Sequence, residues 1–151
     1  MKFVGRNLLI LLVIAFVVTA TSVWAARPDY RYTLSSGLFG LPFDAKSVDW
    51  TVANNSTTPQ TFRVTVYKWG IGISKAEVPP GPLVETLDPG FTTHNANSVG
   101  SDQPFSPGFY YEVVVETNSL EVMPSVSVWE DFGNTVIPGT TILPGTFVRI
   151  R

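Results

Sequence analysis

The chain has 151 residues, of which 44% are hydrophobic, 13% aromatic and 15% charged, and it contains no cysteine. The high aromatic and low charged content excludes a disordered chain, and the lack of cysteine excludes disulfides, thiol nucleophiles and cysteine-based metal sites. Ten basic and twelve acidic residues give a net charge of −2, so nucleic acid is not expected as a partner.

The N-terminal 25 residues have the pattern of a secretory signal peptide. Lys2 and Arg6 precede an unbroken apolar run over residues 8–18, and Ala25 follows a short polar stretch. A charged, then apolar, then small-residue order predicts cleavage after Ala25 or Ala26 and a secreted or extracytoplasmic protein. The alternative is an uncleaved anchor, because residues 7–26 carry no charge and have about the 20 residues needed to cross a bilayer. Both alternatives place the remaining chain outside, and membrane contact is expected only if this segment is retained.

After the signal we expect one domain. Residues 26–46 are predicted to form an N-terminal extension with a first strand, and residues 47–151 a β-sandwich domain. Without Lys2 and Arg6, eight of the ten basic residues remain against all twelve acidic ones, a mature charge of 8 − 12 = −4. Because those basic residues are scattered along the sequence, an anionic lipid surface is also not expected as a partner.

The first clear pair of strands covers residues 48–53 and 61–69. Val48, Trp50 and Val52 alternate with polar or small residues, which predicts one buried and one solvent-facing side. Residues 62–66 alternate in the same way. The two strands either pair as a hairpin or belong to different sheets, and both arrangements bury the same residues.

Further strands follow, separated by turns. Residues 109–117 place Glu112 and Glu116 on a solvated face, and Pro124 makes residues 122–128 an edge or bulged strand because proline has no N–H to donate. Weaker strands are predicted at 30–34, 83–87, 91–97 and 146–150. Five Pro-Gly pairs are candidates for type II turns. The sum is a single all-β antiparallel sandwich of roughly seven to nine strands.

One segment carries a resemblance to known domains. Residues 105–115 read Phe-Ser-Pro-Gly-Phe-Tyr-Tyr-Glu-Val-Val-Val, and this segment is similar to the loop and strand F of fibronectin type III and related immunoglobulin-like domains. The resemblance extends over residues 48–130 and implies that a tyrosine opening this strand forms a tyrosine corner. It also implies a module that binds or spaces other molecules. The lack of a cysteine pair excludes an antibody-type domain.

Three aromatic residues are the candidate ligand-binding residues. Tyr67 and Trp69 share the outer face of their strand, and Trp129 ends another strand. Exposed aromatic rings flanked by polar groups stack on sugar rings in carbohydrate-binding sandwiches. The alternative is that both tryptophans cap the core at strand ends, whereas Trp50 lies on the core-facing side.

We expect no catalytic residues, no metal and no cofactor. His94 is the only histidine; a serine-histidine-aspartate triad would need it together with Ser98, Ser101 or Ser106 and Asp88 or Asp102. A secreted hydrolase using two carboxylates is an alternative that we do not favour. Asn54 and Asn55 each begin an N-x-[ST] sequon.

The predicted function is therefore that of an exported, non-catalytic structural or interaction protein, extracellular or at the cell surface. Its partner would be an extracellular protein or a glycan, or a second copy joined through strand edges. A carbohydrate-binding module is the alternative.

Overall fold

The computed structural model describes residues 29–42, 44–98, 109–130 and 135–151, so the predicted signal or anchor lies outside the described residues. Within the described part no helix is long and apolar enough to span a membrane. This part contains ten strands: β1 (Tyr32–Ser35), β2 (Phe39–Gly40), β3 (Ser47–Asn54), β4 (Gln60–Gly70), β5 (Ile73–Glu77), β6 (Leu83–Leu87), β7 (Thr92–Ser98), β8 (Tyr110–Thr117), β9 (Val122–Trp129) and β10 (Val148–Arg149).

The strands form two antiparallel sheets, which confirms the prediction of an all-β sandwich. The large sheet has seven strands in the order β10-β1-β8-β4-β5, with β2 also paired to β8 and β6 also paired to β4. The small sheet has three strands in the order β7-β3-β9. The count of ten exceeds the predicted seven to nine because β2, which has only two residues, and β5 were not among the predicted strands.

The core lies between the inner faces of the two sheets. Alternate residues of β4 and β8 project inward from the large sheet, and alternate residues of β3 and β9 meet them from the small sheet. Trp50 is 3% exposed at the centre of this core, as its alternation predicted. The fully buried side chains include Val48, Val52, Phe62, Val64, Tyr111, Val113, Val115, Val126 and Val128.

Strands β3 and β4 belong to different sheets, which decides between the two arrangements that their sequences left open. The connection between them is fixed by Asn54, whose amide donates to the carbonyls of Thr58 and Leu87 at 2.9 Å. Its carbonyl oxygen accepts from the backbone N–H and the hydroxyl of Ser56 at 3.0 and 2.7 Å. These four hydrogen bonds use both donors and the acceptor of a side chain that is 1% exposed.

One long strand, β4, organises the large sheet. Along one edge it pairs with β8 from Phe62 to Trp69, and along the other it pairs first with β6 and then with β5. After β5, the Val78 N–H still donates to the Val66 carbonyl of β4 at 2.8 Å, and the connection to β6 contains a cis peptide bond between Pro79 and Pro80. The sequence analysis missed β5 because Gly70 and Gly72 come just before it and only one of its five side chains, Ile73, is strongly apolar.

Pro124 occupies an edge-facing position of β9, as its lack of an N–H predicted. Asn55 N–H donates to the Glu121 carbonyl, so the odd-numbered residues of β9 exchange hydrogen bonds with β3 and the even-numbered ones face away. That outer edge is covered by the later chain, because Val126 and Ile142 exchange two backbone hydrogen bonds at 2.9 and 2.8 Å.

Candidate functional site

The structure separates the three predicted ligand-binding residues. Tyr67 and Trp69 lie on the outer face of the large sheet, where they are cross-strand neighbours of Glu112 and Tyr110. Trp129 lies on the outer face of the small sheet opposite Ser47, and its indole N–H donates to Ser127 Oγ at 2.9 Å. The whole thickness of the sandwich therefore separates Trp129 from the other two, and the three side chains do not form one site.

A lysine that the sequence analysis did not identify covers the Tyr67 and Trp69 rings. Lys75 Nζ lies 4.1 Å from the centre of the Tyr67 ring and 4.9 Å from that of Trp69. At these distances an ammonium group is attracted to the negative face of each ring. In β5, Ile73, Lys75 and Glu77 occupy every second position and therefore share one face of the strand. This spacing is the sequence signal for placing Lys75 on the face that carries Tyr67 and Trp69.

Glu112 completes this group, which we call the Lys75 cluster: Ser35, Tyr67, Trp69, Lys75 and Glu112. Lys75 Nζ donates to Glu112 Oε2 at 2.7 Å, and Ser35 Oγ donates to Glu112 Oε1 at 2.5 Å. The Glu112 residue is 7% exposed, whereas the Lys75 side chain is 40% exposed. A buried carboxylate is thus neutralised by a cation that covers two aromatic rings.

The prediction of a solvated face at Glu112 and Glu116 is wrong. Glu112 is buried in the Lys75 cluster, and Glu116 forms an ion pair with Arg63, its direct cross-strand neighbour. Strand alternation reports only which side of a sheet a residue faces, and long neighbouring side chains have covered this side. Because each carboxylate is paired with a cation, the two do not face each other as a hydrolytic pair would.

Tyr30 packs beside the second of these ion pairs. It is 3% exposed, and its hydroxyl has no hydrogen-bond partner within the part of the chain that the structure describes. Burial raises the pKa of the Tyr30 hydroxyl above its ordinary value of 10.0, the Arg63 guanidinium lowers it, and the Glu116 carboxylate raises it. The net rise means that folding favours the neutral phenol.

Exposed apolar side chains gather at the end of the large sheet that contains Trp69. Ile71, in the β4–β5 turn, is 97% exposed, and Ile73 and Tyr110 are 49% and 50% exposed. Gly70 lies beneath this turn, and a Cβ there would be 2.8 Å from the Phe109 ring. An apolar side chain held at a turn is accessible to a partner.

His94 contacts the carboxylate of Asp49, which was not among the aspartates considered for a triad. Its Nε2 lies 3.1 Å from Asp49 Oδ2, on the outer face of the small sheet, and the His94 side chain is 60% exposed. Ser47 Oγ donates to the other oxygen of Asp49 at 2.6 Å rather than to the histidine. Of the serine and aspartate candidates, Ser101, Ser106 and Asp102 lie outside the described residues. Within the described ranges no group of three or more histidine, cysteine or acidic side chains could hold a metal.

A cavity of about 120 Å³ lies between the sheets beside residues 80–82. Trp50 forms its floor, and its indole N–H donates to Asn97 Oδ1 at 3.3 Å. Asn97 in turn donates to the Pro79 carbonyl at 3.1 Å. The cavity is large enough for a few water molecules only.

The two sequons differ in accessibility. Asn54 is 1% exposed and both amide hydrogens are donated to carbonyls, so a glycan on its nitrogen is incompatible with this fold. Asn55 is exposed, and its amide nitrogen lies 3.1 Å from Met123 Sδ. Of the two asparagines, Asn55 is the one that a glycosyltransferase could reach.

In comparisons with protein-family models, curated proteins and solved structures, this chain has no match.

Proposed function

We propose that this protein is exported and acts outside the cytoplasm as a non-catalytic structural or interaction module that associates through a strand edge. The signal-like N-terminal sequence supports export. The observation that carries the interaction role is the outer edge of β7, where some backbone groups have no hydrogen-bond partner among the described residues. The opposite edge of that sheet, on β9, is covered by the chain that follows it.

The register identifies which groups of β7 are available. Asn54 N–H donates to the Phe91 carbonyl at 2.9 Å, so the odd-numbered residues of β7 bond to β3 and the even-numbered ones point away. Ala96 N–H is satisfied by Asn95 Oδ1 at 2.7 Å. The backbone N–H and C=O of Thr92 and His94 make no hydrogen bond within the described chain, and an exposed edge of this kind accepts a further strand.

The partner that we propose for this edge is a second copy of the chain. Two β7 strands related by a twofold axis through His94 would exchange the N–H and C=O of that residue and extend the small sheet to six strands. One face of β7 carries Thr92, His94 and Ala96 and the other carries Thr93, Asn95 and Asn97. The pairing therefore depends on backbone hydrogen bonds and is expected to be weak.

The test removes one backbone donor. His94→Pro deletes an N–H that points away from β3, and His94→Thr is the matched control, because it loses the imidazole and keeps the N–H. Light scattering over a concentration series should show association of the wild type and of His94→Thr, and a monomer for His94→Pro. A wild-type protein that stays monomeric at the highest concentration refutes self-association through this edge.

A carbohydrate-binding role is the second candidate, because Tyr67, Trp69 and Tyr110 are neighbours on one face of the large sheet. A sugar ring could stack on the first two only after Lys75 moves aside. Affinity electrophoresis in gels containing soluble polysaccharides tests this role. A carbohydrate site at Tyr67 and Trp69 is supported if Trp69→Ala abolishes the retardation and Trp129→Ala leaves it unchanged. The site is refuted if the two variants behave equally.

The immunoglobulin-like resemblance is proposed at the level of strand pairing. In those domains strand B pairs with E and strand C with F, in opposite sheets. The pairs β3–β7 and β4–β8 correspond to them, which supports the proposal. The last long strand, β9, instead joins β3, so the arrangement differs from that of immunoglobulin domains at this strand.

A further inference from the structure

The two ends of the described chain meet at one corner of the large sheet. Asp29 Oδ1 lies 3.3 Å from the Arg151 guanidinium. Thr33 N–H donates to the Arg151 carbonyl at 3.1 Å, and Ile150 N–H donates to the Thr33 carbonyl at 2.9 Å. The N-terminal sequence therefore enters the domain beside the C-terminal strand.

This corner concentrates positive charge in an acidic domain. The guanidinium groups of Arg31 and Arg149 lie 5.3 and 5.7 Å from the centre of the Tyr32 ring, and the Arg151 side chain is 67% exposed. We call Arg31, Tyr32, Arg149 and Arg151 the basic corner. With Arg27, four of the eight basic residues that follow the signal are close to it in sequence or in space. The expectation that basic residues are scattered therefore holds for the sequence and not for the surface.

Apolar surface accompanies this charge. Val148 and Ile150, on either side of Arg149, are 58% and 59% exposed. A groove of about 470 Å³ begins at Arg149 and is lined by apolar side chains that include Leu34, Leu120, Met123 and Phe147. Arginine and tyrosine beside exposed aliphatic side chains form the composition found where proteins meet lipid headgroups.

The chain ahead of the corner sets its distance from a membrane. Residues 7–26 carry no charge and are about long enough to cross a bilayer. Only three peptide units join Ala26 to Asp29, and three extended residues span at most about 11 Å. A bilayer holding residues 7–26 would therefore hold Asp29, beside the basic corner, within about 11 Å of its surface, a distance comparable with the Debye length of about 8 Å at physiological salt.

We propose that residues 7–26 are retained as an anchor and that the basic corner rests on the headgroups of an anionic bilayer, which fixes the tilt of the domain. This inference rests on the proposed export. Of the two alternatives for the N-terminal segment, it requires that residues 7–26 are retained and not removed by cleavage. Charge complementarity selects the anionic surface, since each basic residue near such a surface strengthens contact by about fivefold.

The experiment uses the full chain, which has no native cysteine to interfere with labelling. Ile150→Cys and the control Val84→Cys each carry an environment-sensitive fluorophore; Val84 is 50% exposed on β6, which flanks the opposite edge of the large sheet. Each protein is reconstituted into vesicles of phosphatidylcholine, alone or mixed with phosphatidylglycerol, that contain a headgroup-quenching lipid. We expect stronger quenching at position 150 than at position 84, and only in the anionic vesicles.

Charge variants and salt complete the test. Arg149→Gln with Arg151→Gln should reduce quenching at position 150 several-fold, whereas Lys46→Gln, an exposed lysine at the opposite end of the sandwich, should leave it unchanged. Added salt should lower the same signal without any substitution, so the result does not depend on a variant folding. Equal quenching at both positions, or insensitivity to salt and to both arginines, overturns the inference.

The N-terminal residue of the protein recovered from its host separates this inference from the proposed function. Met1 agrees with a retained anchor. Ala26 or Arg27 overturns the anchored inference and leaves export and strand-edge association untouched.

Discussion

Lys75→Met is expected to destabilise the domain although Lys75 itself lies near the surface. The substitution keeps the length and the apolar stem of the side chain but removes the cation 2.7 Å from Glu112. Glu112, a residue that is 7% exposed in the wild type, would then keep one hydrogen bond, from Ser35. Removing one partner of a fully buried ion pair costs about 3–5 kcal/mol, and an exposed pair contributes about 0–1 kcal/mol. With one buried and one 40% exposed partner, we expect a loss of about 2 kcal/mol.

Glu112→Gln is the matched variant, and it should cost less, about 1 kcal/mol. The asymmetry follows from burial, because Lys75 can turn its ammonium group to water whereas Glu112 cannot. In the double variant the buried charge is gone, so its free energy of unfolding should be close to that of Glu112→Gln alone. The two substitutions should therefore couple by about 1 kcal/mol or more.

Urea denaturation of the four proteins measures these free energies by linear extrapolation. If Lys75→Met lies within about 0.5 kcal/mol of the wild type, Glu112 is adequately solvated and the reasoning from burial is refuted. A coupling energy near zero would likewise show that the two side chains do not interact in solution.

Three further predictions follow from backbone register, an unpaired hydroxyl and a buried amide. Asn95→Pro should lower the free energy of unfolding by about 3 kcal/mol, since it breaks a ladder hydrogen bond to β3 and leaves a buried carbonyl unpaired. His94→Pro should lower it by less than about 1 kcal/mol. Equal losses for the two variants in chemical denaturation would contradict the register. Tyr30→Phe should leave stability at pH 7 unchanged or raise it by up to about 1 kcal/mol, because the hydroxyl has no partner. The folded-state pKa of Tyr30 is raised, so the contribution of the neutral phenol to folding stability is fully present below the ordinary value of 10.0 and is lost as the pH rises beyond it. The wild type should therefore lose more stability than Tyr30→Phe between pH 9 and 12 (roughly the span around that pKa). Parallel curves of stability against pH for the two proteins would contradict this. Asn54→Ala should cost about 3 kcal/mol through four lost hydrogen bonds, and a loss below about 1 kcal/mol would show that water replaces them.

Local alternation in the sequence determined the long strands and the core. Val48, Trp50 and Val52 face inward because every second side chain of a strand points to the same side, and Pro124 had to face an edge because it has no N–H to donate. The same principle predicted the outer position of Tyr67 and Trp69. These properties depend on neighbours along the chain, so the sequence alone was sufficient for them.

Tertiary structure decided which distant residues meet. Alternation placed Glu112 outward, but only the pairing of β4 with β5 and β8 brings Lys75 over it and buries its charge. Lys75 and Glu112 are 37 residues apart in the sequence, and a period of two along one strand carries no information about such a partner.

The same distinction applies at the two surfaces that carry the proposals. Residues 91–97 were predicted as a strand from their sequence, but whether its outer edge is open depends on where the rest of the chain runs. Arg31, Arg149 and Arg151 come from opposite ends of the sequence and form one corner only because β1 pairs with β10. Sequence fixed the net charge of the domain, and strand pairing decided where on its surface that charge is concentrated.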